Sequence, residues 1–176
     1  MENNINTLDK MISYLPQNLI EDLIKNSEIK LINNSHKIEA AVLFSDISGF
    51  TTMSEAFSTI GKEGAEEMSR ILNNYFEDIE ELIRKHEGYI QKTAGDSTTI
   101  FFIKGDDEDY RNVILKAIQC AFKIQELINE KFQYIETLAG IFKLAMKIGI
   151  SSGTVFYNVV GNNDYGYKYL IIGNPI

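Results

Sequence analysis

Ile38-Glu39-Ala40-Ala41-Val42-Leu43-Phe44-Ser45-Asp46-Ile47-Ser48-Gly49-Phe50-Thr51-Thr52 is the stretch on which the fold turns. Its opening, Ile38–Phe44, is short and apolar at nearly every position. That pattern predicts a strand buried on both faces and ended by Ser45-Asp46. The residues after it, Ile47–Thr52, are mostly small and polar, and predict a loop into a helix capped by Thr51 or Thr52. Asp46 therefore stands where a buried strand gives way to a run of free backbone N–H groups.

Downstream, apolar residues recur at three- and four-residue spacing from about Gly61 to His86. Ala65, Met68, Leu72, Tyr75, Ile79, Leu82 and Ile83 predict one inward helical face, and Gly88 ends it. Tyr89–Thr93 and Thr98–Ile103 read as two strands joined through Ala94-Gly95-Asp96-Ser97, a hairpin signal. The acidic run Asp106–Asp109 caps a further helix with Ile114, Ala117, Ile118, Ala121, Ile124 and Ile128 inward. Strands are then expected at Leu144–Ser151, Thr154–Val160 and Lys168–Ile172. Upstream, residues 1–34 are polar, Asn-rich and broken by Pro16. Leu8, Met11, Ile12 and Leu15, then Leu19, Ile20, Leu23 and Ile24, predict a helical lead-in to a domain over 35–176. The order of elements fits an α+β sandwich, with helices on one face of a mostly antiparallel sheet.

The 176 residues suit one domain, and 44% hydrophobic with 24% charged residues is the composition of a packed globular chain. A net charge of −8 disfavours nucleic acid and anionic membrane surfaces as partners. A single cysteine, Cys120, excludes an internal disulfide and a zinc knuckle, and reads as a small hydrophobe in its helix. Met1-Glu2-Asn3-Asn4 lacks the basic, then apolar, start of a signal peptide, and no apolar run is long enough to span a bilayer. The expectation is a cytoplasmic domain in a reducing compartment. His36 and His86 have no partner histidine at metal spacing and read as surface residues. Glu77–Glu81 reads as a solvated face, and Tyr157 and Asn158 fit strand alternation as well as a cleft lining.

Two acids carry candidate chemistry. If the first strand neighbours the hairpin, Asp46 and Asp96 converge on one point at the sheet edge, and two hard oxygen ligands there suit Mg²⁺. The loop Ile47–Thr52 could cradle phosphate oxygens beside them. Taken singly, a helix cap and a turn residue account for each acid. Taken with the loop, the metal reading gains, and pattern alone leaves the two level.

Val42-Leu43-Phe44-Ser45-Asp46-Ile47-Ser48-Gly49-Phe50-Thr51 resembles the metal-binding opening of class III nucleotidyl cyclase catalytic domains. Lys92-Thr93-Ala94-Gly95-Asp96 resembles that family's second signature, and Lys147-Ile148-Gly149-Ile150-Ser151-Ser152-Gly153 its third. Tyr169-Leu170-Ile171-Ile172-Gly173 resembles the start of the fourth. The similarity runs in order from about Ile38 to Ile176, and within the family is greatest to the first catalytic half of soluble, bicarbonate-responsive adenylyl cyclases.

The resemblance implies a ferredoxin-like, palm-type core and a head-to-tail homo- or heterodimer with composite sites. Asp46 and Asp96 would be catalytic and bind two Mg²⁺ or Mn²⁺ ions, with the Ile47 carbonyl as a further ligand. The amides of Ser48, Gly49, Phe50 and Thr51 would hold the terminal phosphates of ATP, on the way to 3′,5′-cyclic AMP and pyrophosphate. Lys92 matches the base-reading lysine, and an ammonium, which only donates, suits acceptor nitrogens of adenine. Lys92, Leu170 and Ile171 would line the base pocket, or a regulatory anion pocket in its place.

Three departures from the family pattern bear on function. The second base-selecting position falls on Leu170, which cannot accept from the adenine amino group; an unpaired buried donor costs roughly 1–3 kcal/mol. The ribose-orienting Asn and transition-state Arg of the family would lie beyond Ile176, so the resemblance stops short of its C-terminal part. Pro175 stands where the strand should lead into the helix that carries them, although proline at a helix start is tolerable. Two alternatives to a catalytic half remain: a regulatory half that binds nucleotide or a bicarbonate-like anion and controls an active partner, and a dimerisation module. A diguanylate cyclase is excluded, because the hairpin reads Ala94-Gly95-Asp96-Ser97 in place of Gly-Gly-Asp/Glu-Glu-Phe.

Overall fold

The computed structural model describes Ile20, residues 35–162 and residues 164–176. The lead-in expected over 1–34 lies, Ile20 apart, outside the described residues. The elements run β1 (His36–Ser48), α1 (Phe50–Ile60), α2 (Lys62–Lys85), β2 (Tyr89–Ala94), β3 (Ser97–Ile103) and α3 (Tyr110–Leu127), which continues as a π-helical turn, Ile128–Phe132. A small hairpin of β4 (Ile135–Thr137) and β5 (Gly140–Phe142) follows, then β6 (Ala145–Asn162) and β7 (Gly166–Gly173).

Five strands form one antiparallel sheet in the order β2-β3-β1-β6-β7. β1 is its centre, and its alternating side chains serve two cores. Ala41, Leu43 and Ile47 face the helices and join Met53 and Phe57 of α1, Ile71, Tyr75, Ile79 and Ile83 of α2, and Val113, Ala117, Cys120, Ala121 and Ile124 of α3. Ala40 and Val42 face the other way, with Phe101 and Val155, in a cluster of strand residues alone. This is the α+β arrangement expected, with the helices on one face. The sheet curls: after burial, Tyr169 on one edge strand is what pushes up the pKa of the Tyr89 hydroxyl on the other.

Several expectations need correction. β1 does not stop at Ser45-Asp46 but runs to Ser48, because β6 pairs with it along its whole length, His36↔Tyr157 to Ser48↔Ala145. The N-cap of α1 is Gly49, in the left-handed region, and Thr51 and Thr52 lie inside the helix. Leu144–Ser151 and Thr154–Val160 are one strand of 18 residues, since the ladder from β1 carries through Ser152↔Ala41 and Gly153↔Ala40. Ala65 is exposed; the start of α2 turns Gly64 inward instead, where a Cβ would lie 2.4 Å from the Phe57 carbonyl oxygen. His36 and His86 are half-buried, His36 stacked on Tyr157 and His86 Nδ1 2.8 Å from the Leu82 carbonyl. Tyr157 is a core residue.

Candidate active site

The site is built where β1 leaves the sheet. β3 pairs with β1 so that Asp46 is the partner of Ser97, the first residue after the hairpin turn. Ser97 Oγ donates to Asp46 Oδ1 at 2.7 Å. Asp96 precedes Ser97 in the chain, so the register brings the second carboxylate one residue from the partner of the first. On its other side Asp46 is paired with Lys147 of β6. A cavity of about 390 Å³ opens here, with Asp46, Ser97, Thr99 and Lys147 in its wall. Both acids are half-buried.

Past Ser48 the chain turns at once into α1. Gly49 holds φ at +95°, and a Cβ on it would lie 2.4 Å from the Lys143 carbonyl oxygen. No side chain caps α1, and the first helical bond is Met53 N–H to the Gly49 carbonyl at 3.2 Å. The amides of the first turn point out of the helix unclaimed by it, the arrangement that binds anions at helix N-termini. Ile47 anchors the junction, its side chain in the helix-side core.

Beneath the site lies Tyr75 of α2, ring edge-on to Phe132 and Phe76. Burial first, then the charges of Asp96 and Asp46, push its hydroxyl pKa well up, so the phenol stays neutral.

The donors suit a hard cation. The side-chain ligands at hand are carboxylate and hydroxyl oxygens, with neither thiolate nor imidazole among them. Among the described residues no group of three His, Cys, Asp or Glu gathers to hold a metal. Two carboxylates with carbonyl, water and phosphate oxygens completing the shell is how Mg²⁺ is usually held.

Of the residues singled out in the sequence, Asp46, Asp96, Ile47, Ser48, Gly49, Phe50 and Thr51 come together at this end of the sheet. Lys92 does not: it is exposed on the edge strand β2, opposite Thr99. Leu170 and Ile171 lie on β7, the other edge. Ile171 packs on the strand-only face, whereas Leu170, 47% exposed, points to the helix side. The sequence pattern gives no site role to Ser97, a hairpin residue, or to Lys147, within the third signature. Their position depends on which strand flanks β1 on each side, which no local pattern encodes.

The chain matches the family model "Adenylate and Guanylate cyclase catalytic domain" over residues 32–173. It is similar to adenylate cyclase type 10 of Rattus norvegicus, 32% identical over 95% of this chain and 10% of that protein. It is also similar to the receptor-type guanylate cyclase gcy-23 of Caenorhabditis elegans, 29% identical over 78% of this chain and 12% of the relative. Among solved structures, the adenylyl cyclase CyaB from P. aeruginosa superposes with a TM-score of 0.63 at 25% identity, covering 81% of this chain and 69% of that one. The chain thus spans about a tenth of the length of the first of these relatives.

Proposed function

Because the chain belongs to the adenylate and guanylate cyclase catalytic domain family, we propose that it is the metal-bearing half of an adenylyl cyclase site. The observation that carries this reading is the β1–β3 register, which sets Asp46 opposite Ser97 and so brings Asp96 beside it. Asp46 and Asp96 hold two Mg²⁺ or Mn²⁺ ions, with the Ile47 carbonyl as a further ligand. When bound, the ions neutralise phosphate charge and lower the pKa of the ribose 3′-hydroxyl. The amides from Ser48 to Thr51 bind the terminal phosphates of ATP, and Lys147, in the cavity wall with Asp46, adds a cation nearby. The 3′-hydroxyl gives up its proton to solvent, its oxygen attacks the α-phosphorus in line, the bond to the β-phosphate breaks, and cyclic AMP and pyrophosphate result.

The base is read across a dimer, by Lys92 and its neighbours in a second copy or a second cyclase half. The 32% identity to an adenylate cyclase supports adenine over guanine as the base. The working compartment is the cytoplasm. Leu170 supports a second reading for its own base pocket: an apolar residue where the family places an acceptor suits a regulatory pocket, for nucleotide or a bicarbonate-like anion, that acts on an active partner.

An assay of Mn²⁺–ATP conversion to cyclic AMP tests the proposal. The chain mixed with a second cyclase half should convert Mn²⁺–ATP to cyclic AMP. Asp46→Ala or Asp96→Ala should abolish the activity of the mixture. Full activity in either variant would overturn the assignment of the metal half.

A further inference from the structure

We propose that Ser97 is a positioning residue: its hydroxyl turns one oxygen of Asp46 away from the ion and so tilts the site toward Mg²⁺ or Mn²⁺ and against Ca²⁺. The inference rests on the reading of Asp46 as a metal ligand.

The contact is a charge-assisted hydrogen bond, Ser97 Oγ to Asp46 Oδ1 at 2.7 Å, between half-buried residues paired across β1 and β3. Its two ends are held independently. Ser97 opens β3 immediately after the turn and is tied into the ladder. The adjacent rung is locked by the buried Ser45 hydroxyl, which donates to the Thr98 carbonyl at 3.4 Å. With Oδ1 engaged by the Ser97 hydroxyl, Oδ2 is the Asp46 oxygen that bond leaves free, in a residue that lines the cavity. A carboxylate held this way offers one oxygen well and two poorly. Mg²⁺ takes single carboxylate oxygens in a small octahedron completed by water, whereas Ca²⁺, with six to eight ligands, readily takes both oxygens of one carboxylate. A serine that only closed the hairpin would affect stability but not this preference.

The test is Mn²⁺ binding to the 176-residue chain, followed by the electron paramagnetic resonance of the free ion, with Mg²⁺ and Ca²⁺ as competitors. Ser97→Ala should weaken Mn²⁺ binding about tenfold, the usual scale for a residue that orients a ligand. Ca²⁺ should lose less than Mg²⁺, so the preference between them narrows. Ser97→Thr, which keeps the hydroxyl, should restore both the affinity and the preference. Ser97→Cys keeps the size with a weak donor and should behave as alanine does, which covers the case in which alanine disturbs the hairpin. Unchanged affinity and unchanged preference in both Ser97→Ala and Ser97→Cys would overturn the inference while Asp46→Ala still abolished binding. If Asp46→Ala left Mn²⁺ binding intact, or the parent chain bound none, the metal reading would fall and the role of Ser97 with it.

Discussion

Gly49 shows how little of a site needs to be chemically reactive. Its φ of +95° is a conformation that side chains with a Cβ rarely adopt, and the Lys143 carbonyl occupies the place a Cβ would take. Gly49→Ala should cost roughly 1–2 kcal/mol from the backbone conformation alone, and more from the overlap, read as a lower urea midpoint. Under the proposed function it should also weaken ATP binding, because that turn aims the amides of Phe50 and Thr51. An alanine variant as stable as the parent would show that the turn relaxes freely. At this scale the sequence was partly legible. The acid, the glycine and the small residues were visible as a motif, but a threonine cap was expected where the glycine caps the helix itself. Side-chain capping is a local preference, and it yielded here to the close approach of Lys143, which lies far along the chain.

At the scale of elements, helices were easier to read than strands, because a helix carries its period within itself. α3 followed the apolar spacing, and Asp109, within the acidic run read as a cap, accepts from the Arg111 N–H at 2.9 Å. Asp109→Ala should therefore lower stability by about 1 kcal/mol, whereas Asp106→Ala, at an exposed position, should change it by less than about 0.5 kcal/mol. Equal losses in thermal or urea unfolding would mean that general charge at the helix start, and not the cap, is what matters. The sequence pattern divides β6 into two strands at Ser152-Gly153, where the structure has one. In the sheet Gly153 is an ordinary rung of β6 opposite Ala40, held extended by the ladder to β1. Strand length was set by the neighbour, and that information lies more than a hundred residues away in the sequence. The same dependence hid Ser97 and Lys147, which flank Asp46 only because β3 and β6 flank β1.

Among the described residues a core lies on each face of the five-stranded sheet, and β1 belongs to both. Cys120 lies at the centre of the helix-side core, where burial pushes its thiol from the ordinary 9.0 up to about 12. Tyr89 packs against the strand-only core, where burial and Tyr169 push its hydroxyl up as well. Both are acids whose pKa is raised by folding, so the sign is the same. Below about pH 9 both states of the chain keep the Cys120 proton and no stability is lost through it. Above that, the unfolded chain releases a proton that the folded chain retains, and stability falls steadily as pH rises toward about 12. Tyr89 adds to the fall as pH passes the ordinary tyrosine value. Since Ala40 and Val42 alternate with Ala41 and Leu43 along one strand, the two cores should give way together. The expected outcome is a single alkaline transition, in which Cys120 becomes open to iodoacetamide at the same pH as helical circular dichroism is lost. Alkylation of Cys120 well below that pH, with the dichroism still native, would show that α3 detaches from the sheet by itself, and that sharing β1 does not bind the two cores into one cooperative unit.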